Sequence, residues 1–163
     1  MVVIGALVVV VLLLVFATGL LDERGRSRKL CDNSLCIRAP AGWHTQVRYG
    51  GRSTQLVLAP FSLHEGKNFP FTPAGKFEIL VFNDWPYRFG FPRRDVVSIR
   101  RSDIRPTHHP YSPSMALRRV FFRGHSLEVL VDFGDEEPSS DQIESVNRIL
   151  ATIRRRPPPE ETR

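Results

Sequence analysis

The chain opens on twenty positions, Val2 to Leu21, that carry no charge, and only Gly5, Thr18 and Gly19 among them are not apolar. Wound into a helix rising 1.5 Å per residue, such a run reaches about 30 Å, the thickness of a bilayer's hydrocarbon core. It has no polar face, which separates it from the amphipathic helix of a soluble core. Residues 1–21 are therefore expected to form a single-pass transmembrane anchor. A secretory signal peptide is the competing reading, because Ala17-Thr18-Gly19 offers the small residues that a signal peptidase accepts. Signal peptides, however, have a shorter apolar region preceded by basic residues, and here none precedes the run.

Beyond Leu21 the pattern changes to short alternations broken by Gly and Pro. Leu35 to Ala39 reads as a strand stopped by Pro40, with Ala41-Gly42-Trp43 as a turn. His44–Tyr49 and Gln55–Phe61 flank Gly50-Gly51-Arg52, a hairpin signal. Phe77–Phe82 is the most apolar strand and is expected at the centre of the sheet. Asp95–Arg100 reads as a further strand, followed by a Pro- and His-rich stretch over 102–114. Ala116–Arg123 and Leu127–Phe133 flank Gly124-His125-Ser126 as a second hairpin, with Leu127, Val129, Val131 and Phe133 on one face. On the other face Glu128 and Asp132, like Glu78 in its own strand, predict a wet surface. Ser139 with Gln142 three residues on is a capping box, and Ile143, Val146, Leu150 and Ile153 form one apolar helical stripe. That helix is expected to run to Pro157-Pro158-Pro159. Strands first and one helix last predict an α+β fold, an antiparallel sheet with a C-terminal amphipathic helix packed on it.

Composition sets the scale. The 163 residues amount to one domain plus appendages: an anchor over 1–21, a basic juxtamembrane linker over 22–30, the α+β domain over 31–155 and a disordered Pro-rich tail over 156–163. Outside the anchor about 35% of positions are apolar, lean but above the disordered range. A polytopic membrane protein, a collagen-like chain, a coiled coil and a disulfide-dense miniprotein are all excluded.

Two signals bear on orientation and oppose each other. Arg24, Arg26, Arg28 and Lys29 follow the anchor, and by the positive-inside rule they place that flank in the cytoplasm. Beside anionic headgroups each contributes about 1 kcal/mol of attraction to membrane lipid. Cys31 and Cys36, the chain's two cysteines, enclose Asp32, Asn33 and Ser34, all turn formers. As a candidate disulfide this loop is worth about 2 kcal/mol of chain entropy, and its spacing is neither the CxxC of a redox motif nor half of a zinc site. Two reduced cysteines are the alternative. We expect the domain on the extracytoplasmic side of the cell membrane.

No catalytic motif is present: no nucleophile elbow and no phosphate-cradling Gly-rich loop. His44, His64, His108, His109 and His125 lack converging metal-ligand spacing, so neither metal nor cofactor is expected. Arg outnumbers Lys twenty to three. Arg93-Arg94, Arg100-Arg101, Arg105 and Arg118-Arg119-Arg123 are candidates for one anion-binding face, although no nucleic-acid module spacing accompanies them and no nucleic-acid partner is expected. Trp85-Pro86-Tyr87-Arg88-Phe89-Gly90-Phe91-Pro92 concentrates four aromatics outside any periodic element. Trp85, Tyr87, Phe89 and Phe91 with Arg93 and Arg94 are thus candidate contacts for a protein partner in the cell envelope, packing beneath the loop being the plainer reading.

The Pro40-Ala41-Gly42-Trp43 turn, the strand-turn-strand Phe122-Arg123-Gly124-His125 into Leu127-Glu128-Val129, Phe133-Gly134 and the helix Val146–Arg154 together resemble a group of membrane-anchored or exported bacterial proteins, mostly actinobacterial, with the PsbP-like α+β fold. The resemblance covers most of 35–155. It implies that fold and an extracytoplasmic placement, and brings no catalytic residue with it. The function expected is a non-catalytic binding or assembly module. The alternative is a cell-envelope hydrolase or lyase whose site joins His108 or His125 to Glu128 or Asp132.

Overall fold

A computed structural model of the 163-residue chain describes residues 27–50, 53–63, 72–83, 91–109 and 112–156. The anchor expected over 1–21 lies outside them, as do Arg24 and Arg26 and residues 157–163 of the tail. Among the described residues no helix is long and apolar enough to cross a membrane.

The alternating segments become strands: β1 (Arg28–Cys31), β2 (Leu35–Ala39), β3 (His44–Gly50), β4 (Ser53–Ala59), β5 (Phe77–Asn83), β6 (Ile104–His109), β7 (Ser112–Phe122) and β8 (His125–Phe133), followed by one helix, α1 (Ser140–Leu150), and the two-residue β9 (Arg154–Arg155). Six strands form one antiparallel sheet in the order β3-β4-β5-β8-β7-β6, and β1-β2-β9 form a smaller one. The described residues thus have an α+β fold. As expected, β5 is central, and all of its side chains except Phe82 are buried.

One hydrophobic cluster fills the space between the first face of the large sheet and a second layer made of the small sheet, α1 and the 95–100 segment. Leu58, Ile79, Val129 and Val131 contribute from the sheet, Leu35, Ile37, Val146 and Leu150 from the other layer, and each is less than 2% exposed. Burying a side chain of this size is worth roughly 1.5–3 kcal/mol, so this layer supplies most of the fold's stability. Trp43 closes one end. Its ring meets Phe77 edge-on at 5.3 Å, and Phe77 in turn lies 6.2 Å from Phe133. The Pro40–Trp43 turn that delivers it is closed by Trp43 N–H to the Pro40 carbonyl (3.3 Å), with Gly42 at φ 75°, as a type II turn requires of its third residue.

Several boundaries differ from expectation for identifiable reasons. Arg28 and Lys29, expected in a linker, pair with Ala39 and Arg38 as part of β1. The second hairpin turns at Arg123-Gly124, both with positive φ, so His125 and Ser126 belong to β8. Asp95–Arg100 is no strand of either sheet. Val97 and Ile99 do point into the core, but the Ile99 backbone is held by a side chain: Asn147 Oδ1 accepts from its N–H (2.8 Å) and Asn147 Nδ2 donates to its carbonyl (3.0 Å). An asparagine here substitutes for a neighbouring strand. Within the stretch 102–114 lies β6, whose Pro106 is tolerated because β6 is an edge.

The Ser139 cap forms as expected. Its hydroxyl accepts from Gln142 N–H (3.2 Å), and Gln142 Oε1 accepts from Ser139 N–H (2.7 Å). The helix stops at Leu150, well before the prolines. The Thr152 hydroxyl donates to the Ile149 carbonyl (2.6 Å) and accepts from Arg38 N–H (2.9 Å), turning the chain back onto β2. Arg154 and Arg155 therefore lie in β9 rather than at a helix end. Arg156, expected in the free tail, is tied to Ser34 and Asp32 through its backbone and guanidinium (2.7 and 2.8 Å).

Candidate functional site

The acidic alternation of β5 and β8 meets an unexpected environment. Glu78 pairs with Asp132 across the two central strands, and Phe82 with Glu128. All three carboxylates belong to the second face of the sheet, which was expected to be wet. Instead Glu78 is 0%, Asp132 3% and Glu128 7% exposed. Directly opposed residues have Cβ atoms about 5 Å apart, so the two acids are close neighbours in the buried sheet. Glu78 makes no hydrogen bond through either oxygen. Burial and, secondarily, the Asp132 carboxylate push its carboxyl up to about 7, against the opposing pull of the Arg48 guanidinium. Arg48 Nε donates to Gln46 Oε1 (2.9 Å), while its Nη2 is buried without a partner, as is the Thr45 hydroxyl.

The other two acids are engaged. Glu128 pairs with Arg119 (2.6 Å), and Asp132 accepts from the Ser112 hydroxyl (2.8 Å). His125 sits opposite Phe122 at the tip of the hairpin, seven residues from Asp132, or about 23 Å along β8. His108 and His44 are exposed on the two edge strands, and His64 lies outside the described residues. Among the described residues no group of three His, Cys, Asp or Glu is placed to hold a metal ion.

The arginines divide into groups. Strand alternation sends Arg118 and Arg119 to opposite faces, Arg118 to Asp103 of a short 3-10 turn over Arg101–Asp103 (3.2 Å) and Arg119 to Glu128. Arg101 borders a separate depression that also has Glu136 and Glu137 on its wall, so the charges there are mixed. Arg93, Arg94 and Arg123, in contrast, gather at one place. Phe121 N–H donates to the Pro92 carbonyl (2.9 Å) and Arg94 N–H to the Phe121 carbonyl (3.0 Å), which staples the segment after the aromatic loop to the end of β7. The Arg93 guanidinium lies 6.0 Å from the Phe121 ring centre and that of Arg123 lies 5.2 Å from Phe122. Between them opens a depression of about 550 Å³ lined by the three arginines, Asp95, Phe121 and Gly124. Among the described residues none of the three arginines forms a salt bridge. Trp85, Tyr87 and Phe89 lie outside the described residues, and Phe91 is half-buried.

Cys31 and Cys36 are opposite each other in the β1–β2 register and are joined as a disulfide. The loop they close is organised by Asp32, which is 2% exposed: its Oδ1 accepts from the N–H groups of Ser34 and Leu35 (both 2.7 Å), and its Oδ2 from Asn83 Nδ2 (2.9 Å) at the end of β5. Arg28 and Lys29 are exposed at the other end of β1.

No signal in the sequence marked Glu78 as dry, because its alternation is that of a half-exposed strand. The grouping of Arg123 with Arg93 and Arg94 was equally hidden, since it depends on the 91–94 segment docking against β7. Comparison of the chain with family models, curated proteins and solved structures finds no match.

Proposed function

We propose that the chain is a single-pass membrane-anchored protein whose extracytoplasmic α+β domain is a non-catalytic binding module, with the Arg93–Arg94–Arg123 depression as its contact surface. The observation that carries this is the convergence of three arginines, from segments about thirty residues apart, on one open concavity; none has a salt-bridge partner among the described residues, and the Arg94 guanidinium donates to the Arg93 carbonyl (3.2 Å). Like charges held together by backbone hydrogen bonds and aromatic rings repel one another, and an incoming anion relieves that repulsion. The apolar run Val2–Leu21 and the disulfide-bonded cysteine pair support the anchor and the oxidising compartment.

Replacing Arg93 and Arg94 by Gln and Arg123 by Asn is expected to leave the melting temperature within a few degrees and to abolish co-purification of envelope partners. Undiminished recovery of the same partners removes the reading. For orientation, an impermeant maleimide applied to intact cells should label Cys31 and Cys36 only after an impermeant reductant; labelling that needs cell lysis puts the domain in the cytoplasm.

Glu78 prompts a second reading, a hydrolase or lyase, because a carboxyl titrating near 7 suits a general acid. A general acid must reach its substrate, and Glu78 at 0% exposure does not. The binding module is therefore the stronger reading.

A further inference from the structure

We propose that the ligand of the arginine depression is a phosphate-bearing anion, engaged at the pole of the domain that faces away from the anchoring bilayer. The proposal rests on the binding-module reading and adds to it the chemistry of the ligand and the direction from which it comes.

The chemistry follows from the number of forks. One guanidinium presents two parallel N–H groups, which satisfy both oxygens of a carboxylate. Three guanidiniums around one concavity exceed what a carboxylate can use, whereas a phosphate has three or more oxygens to share among them. Asp95 on the same wall lowers the local charge without cancelling it, which favours a ligand carrying more than one negative charge. The volume of about 550 Å³ falls in the usual range for small-ligand sites, about 300–1,000 Å³, and leaves room for a second phosphate or for the body of an ester against Phe121. The groups are also held in position. Arg93 and Arg123 are braced on Phe121 and Phe122, and Arg123 keeps φ at 47° in a tight turn, where Asn would suit the backbone better.

The direction follows from the register. Arg28 pairs with Ala39, next to the turn that seats Trp43 on Phe77, whose strand partner is Phe133. The chain therefore enters the domain at the Phe133 end of β8. Arg123 lies beyond the opposite end, two residues before His125, and the nine residues of β8 span about 26 Å. Six residues, 22–27, separate Arg28 from the apolar run, and the seven steps from Leu21 to Arg28 reach at most about 25 Å. If that run sits in the bilayer, the tether is too short for the domain to invert and lay the depression on its own membrane.

The test uses the full chain in nanodiscs of neutral lipid, with inorganic tripolyphosphate as the probe in titration calorimetry. Saturable binding is expected, weakened at least tenfold by Arg93→Gln with Arg94→Gln and Arg123→Asn. A charge-matched control, Arg38→Gln with Arg148→Gln and Arg155→Gln, changes three exposed arginines elsewhere and should keep the binding; an equal loss in the control reduces the effect to net charge and overturns the proposal. Oligoglutamate of equal charge binding as tightly as tripolyphosphate overturns the phosphate assignment. In nanodiscs with phosphatidylglycerol the affinity should stay within a few-fold. A loss as large as that of the triple variant means that headgroups of the anchoring bilayer fill the site, and the outward direction is wrong. If tripolyphosphate fails to bind while the triple variant still loses its envelope partner, the phosphate falls and the binding module stands; if partner recovery is also unchanged, both fall.

Discussion

A single buried carboxyl, Glu78, places a pH dependence inside the sheet. In the unfolded chain it titrates near 4.5 and in the folded chain near 7, so between these values the folded state holds more protons. Stability present below about 4.5 therefore falls as pH rises towards 7 and levels off above it, by on the order of 3 kcal/mol in full. Glu78→Gln keeps the volume and removes the titration. Thermal melts of the full chain from pH 4.5 to 8 should show the wild type losing stability relative to Glu78→Gln across that window, and parallel profiles would refute the assignment. Gly134 is a second residue whose identity the surroundings dictate. A Cβ there would collide with the Pro73 carbonyl oxygen, and its N–H donates to the Lys76 carbonyl (3.0 Å). Since backbone rather than a flexible side chain must yield, Gly134→Ala should cost about 2–4 kcal/mol by chemical denaturation.

Elements in this fold are joined by polar side chains acting as connectors. Asp135, just beyond β8, accepts from Gly75 N–H through both carboxylate oxygens (3.0 Å each), from Gln142 Nε2 in α1 (2.9 Å) and, through its carbonyl, from the Ser114 hydroxyl in β7 (2.7 Å). Asn147 does the same between α1 and the 95–100 segment, which lacks a strand partner. Asn147→Ala leaves the Ile99 N–H and carbonyl unsatisfied beside the core, at a cost of about 2–3 kcal/mol. Asn147→Asp retains the acceptor and should cost less. Hydrogen exchange at the Ile99 amide reads the difference directly: fast in Asn147→Ala, slower in Asn147→Asp and slowest in the wild type.

Across the whole molecule, the two layers are closed at one pole by Trp43, Phe77 and Phe133 and at the other by the Asp32 loop with its disulfide. Removing the bridge with Cys31→Ser and Cys36→Ser frees a six-residue loop and should cost about 2 kcal/mol. Because Asp32 still ties that loop to Asn83, the fold should persist, with a lower melting temperature that a reductant reproduces in the wild type. The basic depression belongs to this second pole, and Arg28 and Lys29 to the first. That polarity concerns the molecule as a unit and is invisible in any one strand.

By themselves, residues close in sequence determined the elements whose signals are local. The Ser139–Gln142 box starts a helix, Gly42 permits a turn, and the alternation of Leu127 to Phe133 makes a strand with a core face, because capping, positive φ and the two-residue pleat act within a few positions. They misjudged Asp95–Arg100, where alternation marked the buried side chains Val97 and Ile99 but could not reveal that a helix asparagine replaces the neighbouring strand. Only the tertiary structure decided that Glu78, Glu128 and Asp132 are buried, that Arg118 meets Asp103, and that Arg123 joins Arg93 and Arg94. Burial and charge pairing depend on which distant segments pack together, and no short window of sequence carries that information.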